Sequence, residues 1–564
     1  MIWTMKKAAA ALLAGAMLTS LLAGCSNSAS SDGGRAETST EFYSAKFENG
    51  KYVEPVSITT VFPIGSNLKF KNGENIENNV HTRWAKDTLG IDIKYLWTVS
   101  DQNNAYQTKL RLMLTSKQEM PDIIAFRGDQ TLISDLIESG QFADAGELFD
   151  QYASDTYKEA MSQDPDVWNP YIRDGKRMAI PVLDNAYNND GVMYIREDWL
   201  RNVGMEAPTT IDELEAVMEA FTNGDPDQNG QKDTLALSIG FKNNLATWMS
   251  DSGWIFGMFG AMPNQWNEGA DGKLVYGSIQ PEMKPALAKL QDWMKKGYIS
   301  QEAGLYDEVK ASEAFTAGKA GIIVGPYWMT GWPLQDMKAN LPGAEYKAYP
   351  LPAGQDGKVG RRGTSVNSGA VLINKNMKNK DAFFVYQNYL FDHWANPSGE
   401  GPFTKGFAEG YDYAIGPNGE LYGEQDSDKI EGGWVDTIRY TLTFDGAIIP
   451  QLRINTLAKI ANGEEAVTPY EKAMLRSIPE QIQAAKIVID QKDSIMMNKF
   501  TGSPTKTQLS KGDMLDKLEK EVLTKIIYNR ASIDEFDSFV ERYLSSGGQQ
   551  VHNEVNEWYA SIHQ

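Results

Sequence analysis

A single cysteine, Cys25, serves all 564 residues of this chain, and it closes a leader-like segment. No disulfide can form within the chain, so everything beyond that point must be held by buried apolar surface and hydrogen bonds. The periodicity of its apolar residues therefore carries the fold.

That leader has a basic start, Met5-Lys6-Lys7, an apolar core over 8–22, and the small-residue close Leu22-Ala23-Gly24-Cys25. The pattern resembles a bacterial lipoprotein signal. Residues 1–24 are expected to be a cleaved signal peptide, with Cys25 as the lipidated N-terminus carrying acyl chains such as palmitate. A buried structural cysteine behind an ordinary signal peptide is the alternative. Residues 26–40 hold no aliphatic side chain larger than alanine, so 25–41 reads as a flexible tether. The apolar core falls short of the ~20 residues of a membrane span. The expected location is the extracellular face of the cell membrane, held by lipid alone.

Strand-like stretches fall at 56–62, 91–97, 122–126, 192–196, 321–324, 346–352 and 369–373. Helical patterns fall at 75–89, 106–115 and 281–296. A further helix opens at the capping pair Thr210 and Glu213, with Ile211, Leu214, Val217, Met218 and Phe221 on one face. From Lys380 the chain reads as mostly helical, broken at Thr501-Gly502-Ser503-Pro504. Alternating strands and helices predict an α/β fold with a parallel sheet. Ligands in such sheets sit beyond the carboxyl ends of the strands, which makes Arg127-Gly128-Asp129 a candidate cleft wall.

Acidic residues outnumber basic ones by 75 to 54, a formal charge of −21, which argues against a nucleic-acid partner. The four histidines have no zinc-like spacing, and no HExxH, GxSxG or GxxxxGK[ST] sequence occurs. A glycosidase needs only two carboxylates about 5–10 Å apart, so a secreted carbohydrate-active enzyme stays as an alternative function. The 14 tryptophans and 25 tyrosines supply flat rings of the kind that hold sugar faces, and equally of the kind that fill cores.

Three segments, GKRMAIP from Gly175, YIREDWLRNVGMEAPTTIDELEAVMEAFT from Tyr194 and FTAGKAGIIVGPYW from Phe315, stand in an order similar to that of the extracellular solute-binding proteins of ABC importers. They resemble the maltose-binding-like class. The ending, from Phe500-Thr501-Gly502 to Glu557-Trp558, resembles its long lipoprotein branch, near the alginate-oligosaccharide binders. The resemblance implies a non-enzymatic, monomeric, two-lobe protein with a helical C-terminal region. Its lobes would close on an oligosaccharide delivered to ABC permease subunits. A peptide ligand is a lesser alternative. Lobe 1 is expected over 42–185 plus about 375–445, and lobe 2 over 186–374 plus about 446–564.

Asp225, Asp227, Asn229 and Asp233 place oxygens at positions 1, 3, 5 and 9 of a calcium-type loop, with Gly230 at 6 and the Gln231 carbonyl at 7. Position 12 is Ala236, so the usual bidentate glutamate is missing. A structural calcium ion and a solvated acidic turn are both open. Candidate ligand contacts are Tyr327, Trp328 and Trp332 past the 321–324 strand, Arg127 and Asp129, Asn188 and Asn189, Trp254 and Trp266, and Ser365. For each aromatic, packing is the competing role. Arg127, Arg177, Arg361 and Arg362 are candidates for a uronate carboxylate or for ordinary surface roles.

If Cys25 carries the anchor, the Cys25→Ser protein should be released to the medium or remain unprocessed. Fractionation with membranes at the wild-type size and yield would rule the anchor out.

Overall fold

The structure is a computed structural model and describes residues 42–65, 68–399 and 401–563. Cys25, the signal segment and the tether lie outside the described residues. Nine strands frame the site. The first group is β1 (Val56–Ile64), β2 (Ile91–Ser100), β3 (Ile123–Arg127) and β4 (Ile180–Leu183). The second is β5 (Val192–Arg196), β6 (Leu235–Ser238), β7 (Ala320–Gly325) and β8 (Tyr346–Tyr349). Then β9 (Asn367–Ile373) returns to the first group.

β9 lies between β3 and β4 and is antiparallel to both, with Gly369 opposite Arg127 and Ala370 opposite Pro181. β1 and β2 pair in parallel from Val56 and Ile91. β1 is tied to β3 by Thr60 Oγ1 donating to the Ile123 carbonyl at 3.0 Å. The second sheet runs β6-β7-β5-β8, with β6 parallel to β7 and β5 antiparallel to both its neighbours. The expected all-parallel sheet is thus mixed: β5 and β9 run against their neighbours because each enters its sheet on a return from the other lobe. β9 also moves the expected boundary at 374, since its ladder belongs to the first sheet.

Both sheets are buried on both faces. In β3, Ile123 and Ala125 join one apolar core while Ile124 and Phe126 join another. β9 divides the same way, Val371 and Ile373 against Ala370 and Leu372. In the second sheet, Met193, Ile195, Ile322 and Val324 face one core, and Val192, Tyr194 and Ile323 face the other. A period of two in an all-apolar run produces this division when helices cover both faces. The capped helix forms as expected over Ile211–Asn223, with Thr210 and Glu213 exchanging capping bonds. It lies so close to β7 that a Cβ on Gly321 would fall 2.2 Å from Phe221 Cδ2, so only glycine fits there.

The helix expected over 75–89 starts later, at Val80, where Asn79 caps it. The chain after His393 departs most from expectation. Between helices Asp381–His393 and Leu452–Ala461 it is mostly irregular, with short 3-10 turns and two-residue strands. Gly and Pro recur through it, in Asn396-Pro397, Gly416-Pro417 and Gly432-Gly433, and each interrupts a helix.

The C-terminal helices Lys506–Ile527, Glu535–Tyr543 and Gln549–Ile562 cover the second lobe through Leu515, Val522, Leu523 and Ile526. Glu519 on the first of these is buried. Its carboxylate accepts from Tyr276 Oη at 2.9 Å and Asn264 Nδ2 at 2.8 Å. Burial pushes the Glu519 carboxyl from 4.5 up to about 7. The folded state therefore holds the proton more tightly than the unfolded chain. Stability from this group is full below pH 4.5 and is lost as pH rises through about 7. Glu519→Gln should remove up to about 3 kcal/mol of that decline, read as the variant-minus-wild-type difference in unfolding free energy between pH 5 and pH 8. A difference independent of pH would refute the assignment.

Candidate ligand-binding cleft

Three strand ends meet at one place. β3 ends at Arg127, β4 runs into 184–189, and β7 runs through Gly325-Pro326 into the 3-10 turn Tyr327–Thr330. These ends, the 394–406 and 439–449 segments, and the starts of helices Leu452–Ala461 and Pro469–Met474 enclose a cleft of about 1030 Å3. No helix among the described residues is long and apolar enough to cross a membrane.

One wall is aromatic. Trp328 is half-buried, lines the cleft, and donates its Nε1–H to the Asn188 carbonyl at 2.7 Å. That bond fixes the indole edge and so the plane of the ring. Trp248 and Trp332 lie nearly parallel to it, with centroids 5.8 and 6.5 Å away and planes within 20°. Trp332 is 43% exposed, and neither it nor Trp248 lines the cleft itself; both back the Trp328 ring. Tyr327 also borders the cleft, but its side chain is 1% exposed and packs with Met329 and Leu457 under β7. Burial raises its hydroxyl pKa. The neighbouring rings therefore divide the work: Tyr327 anchors the turn and Trp328 offers a surface. Trp248, from the irregular 241–252 stretch, was not among the sequence candidates, and no local motif marks it. Phe403 borders the cleft as well, stacked on Phe407 at 4.9 Å.

The polar wall holds Asp184, Asn185, Asn188 and Arg127. Asp184 accepts from the Asn185 amide at 2.7 Å and from Asn188 Nδ2 at 3.1 Å. Burial raises its carboxyl pKa, and the Arg127 charge opposes that rise. Arg127 pairs with Asp445, donates to the Thr443 carbonyl at 3.3 Å, and lies 5.7 Å from the Phe444 ring centre. Arg439, Arg453, Lys405, Lys472 and Arg476 complete the lining. No spacing in the sequence singled these cations out: Arg453 and Lys472 lie on helices, as expected after Lys380, while Lys405, Arg439 and Arg476 lie outside α-helices.

Other expected contacts stand elsewhere. Asp129 caps the helix Gln130–Glu138 through the Leu132 amide and pairs with Arg111 at 2.7 Å. Asn189 is half-buried and does not line the cleft. Trp254 and Trp266 are 1% and 4% exposed within the second-lobe core, where large rings fill space beside Trp293 and Tyr276. Ser365 donates to Asp164 at 3.1 Å in the connector to β9. Arg177 lies over Trp168 and pairs with Asp150. Arg361 and Arg362 are interior: Arg361 pairs with Asp190 at 3.3 Å, and Arg362 feels the charge of Asp251.

The acidic loop links the helix Ile211–Asn223 to β6. It is wound by positive φ at Asp225, Gln228 and Gly230. Asp225 accepts from the Asn229 and Gly230 amides, each at 3.1 Å. Asn229 Nδ2 bridges Asp227 and Asp233 at 2.8 and 3.2 Å, and Lys319 pairs with Asp233. Asp227 Oδ1 is buried with no donor. Burial, with added repulsion from Asp233 and Asp225, raises the Asp227 pKa. Among the described residues no group of three or more His, Cys, Asp or Glu side chains is gathered to hold a metal ion. The oxygen donors fit a hard cation in kind, and the orphaned Asp227 oxygen marks where one would be met.

Residues 69–395 match the family described as bacterial extracellular solute-binding protein. The chain is 25% identical over 386 residues to the polygalacturonan/rhamnogalacturonan-binding protein YtcQ of Bacillus subtilis (strain 168), covering 68% of this chain and 70% of that one. In structure it is similar to the alginate-binding protein AlgQ2 without calcium ion, at TM-score 0.61 and 18% identity, covering 90% of this chain and 98% of that one. It is equally similar to the EF-hand mutant of the S. pneumoniae substrate-binding protein FusA in complex with fructo-nystose, at TM-score 0.61 and 18% identity, covering 90% and 99%. The shared architecture is the two-lobe α/β fold of solute-binding proteins. All three are binding proteins, not enzymes.

Proposed function

The chain belongs to the family of bacterial extracellular solute-binding proteins, and from that premise we propose that it captures an oligosaccharide in the cleft for hand-over to an ABC importer. The observation that carries this reading is the fixed, half-buried face of Trp328 beside Asp184 and Asn188 in one cleft. A pyranose ring has an apolar face of C–H groups and a rim of hydroxyls. A rigid indole covers the face with little loss of conformational entropy, while carboxylate, amide and guanidinium groups satisfy the rim. The ligands of YtcQ, AlgQ2 and FusA, each a saccharide by description, support the same reading. The working protein is a monomer that meets permease subunits and is held to the membrane through Cys25.

Import requires release, so affinity on the order of micromolar, about −8 kcal/mol, is expected. Trp328→Ala should weaken binding by about 2 kcal/mol in calorimetry while the protein stays folded, as read by a single cooperative melting transition. Full affinity in a Trp328→Ala, Trp332→Ala double variant would move the site elsewhere.

A calcium ion at Asp225, Asp227, Asn229, Asp233 and the Gln231 carbonyl is the second part of the proposal. The ion would take up the orphaned Asp227 oxygen and offset the mutual repulsion of three carboxylates, bracing the helix Ile211–Asn223 against β6. The calcium and EF-hand descriptions attached to AlgQ2 and FusA support it. At a hundredfold excess over its dissociation constant, an ion that binds only the folded state adds about 2.7 kcal/mol. Wild type should melt higher in calcium than in chelator, and Asp227→Ala should not. Identical wild-type melting in both would remove the ion from the account.

A further inference from the structure

We infer that the oligosaccharide is anionic, a uronate-type chain whose carboxylates are met by Arg453 and its neighbouring cations on the helical side of the cleft; this rests on the oligosaccharide reading above. The cleft lining holds six cations, Arg127, Lys405, Arg439, Arg453, Lys472 and Arg476, against two acids, Asp184 and Asp445. The chain as a whole has the opposite balance, 54 basic to 75 acidic residues. A basic concavity on an acidic protein draws anions to that one place.

The cations fall into two sets. Arg127 and Arg439 are already held, since both pair with Asp445 and Arg439 also pairs with Asp436 at 3.1 Å. The remaining four form no ion pair among the described residues. Arg476 donates to the Leu421 carbonyl at 2.9 Å, a neutral acceptor. Arg453 Nε is buried with no hydrogen-bond partner, and Glu424 feels the Arg453 charge without pairing with it. Adding Asp436, Glu424 and Asp426, which feels the Arg476 charge but pairs with Lys429, still leaves cations in excess at the cleft.

A half-buried guanidinium without a carboxylate is poorly satisfied, and a carboxylate on the ligand supplies the missing acceptor in a planar, two-bond geometry. A neutral sugar offers them only uncharged hydroxyl acceptors, which bind a guanidinium more weakly than a carboxylate does. Asp184, Asn185 and Asn188 serve ring hydroxyls of either class, so they do not decide between them. Discrimination therefore falls to Arg453, Lys472, Arg476 and Lys405. Asp445 has a positioning role: it holds Arg127 and Arg439 at the junction between the lobes.

The test is calorimetry on the full chain with tetramers of galacturonate and of mannuronate, their methyl esters, and neutral tetrasaccharides. At least one uronide should bind about tenfold or more tightly than its own methyl ester, with affinity falling as salt rises. Arg453→Gln should lower uronide affinity by about tenfold and ester affinity by much less, with Arg453→Lys intermediate. Lys472→Gln, at an exposed position that folding does not need, should move affinity in the same direction. Esters binding as well as uronides, or Arg453→Gln and Lys472→Gln weakening both ligands alike, would overturn the inference. Neutral sugars binding while uronides stay silent would overturn it and leave the oligosaccharide reading standing. Silence toward every sugar would instead overturn that reading.

Discussion

Asp190 and Arg361 form an ion pair in which each side chain is only 1% exposed. Asp190 closes the chain crossing from β4 to β5, and Arg361 stands in the crossing from β8 to β9. Burial pushes the Asp190 carboxyl up to about 6 against the pull of Arg361 and Arg362, and lowers the Arg361 pKa. Arg361 also donates to the Val488 carbonyl at 2.7 Å, tying the crossings to the helix Pro479–Asp490. Such a pair contributes little net stability over a well-packed apolar substitute, yet removing one partner strands the other charge. Its role is geometric. It fixes two crossings side by side, and those crossings set where β4 and β9 end relative to β5 and β7.

The cleft inherits its chemistry from those strand ends. Arg127 comes from β3, Asp184 and Asn188 from the exit of β4, and Trp328 from the exit of β7. Each is held by a hydrogen bond or ion pair within the protein, such as Trp328 to the Asn188 carbonyl, so the site is organised before any ligand arrives. Its other wall is irregular chain and helix starts between 394 and 476, and most of the positive charge lies there. On the proposed reading, ring contact falls mainly to the sheet side and charge contact mainly to the chain between 394 and 476. The acidic loop after Asn223 does not line the cleft; it follows the end of the helix Ile211–Asn223.

Much of the scaffold was legible because it depends on local rules. Thr210 and Glu213 read as a capping box and form one; 192–196 read as a strand and is one. The strand-end rule named Arg127 together with Asp129, and the stretch past the 321–324 strand named Trp328 together with Tyr327 and Trp332. Strand direction was not legible, because β5 and β9 owe theirs to long-range returns. The fate of individual aromatics was not legible either: Trp254 and Trp266 have the same composition signal as Trp328 and lie in the core. Asp129 looked like a wall residue and is consumed as a helix cap. Arg453 and Lys472 were missed because they lie on helices far in sequence from the strand ends that share the cleft with them, and no spacing marks them.

The central claim is that the ligand lies between the Trp328 face and the Arg453 side of this cleft. A crystal structure of the full chain with a bound oligouronide tests it most directly. The account predicts a pyranose ring stacked on Trp328 and a ligand carboxylate within about 3 Å of the Arg453 guanidinium. Ligand seated elsewhere on the protein, or seated here with its carboxylates turned to solvent and Arg453 untouched, would contradict it.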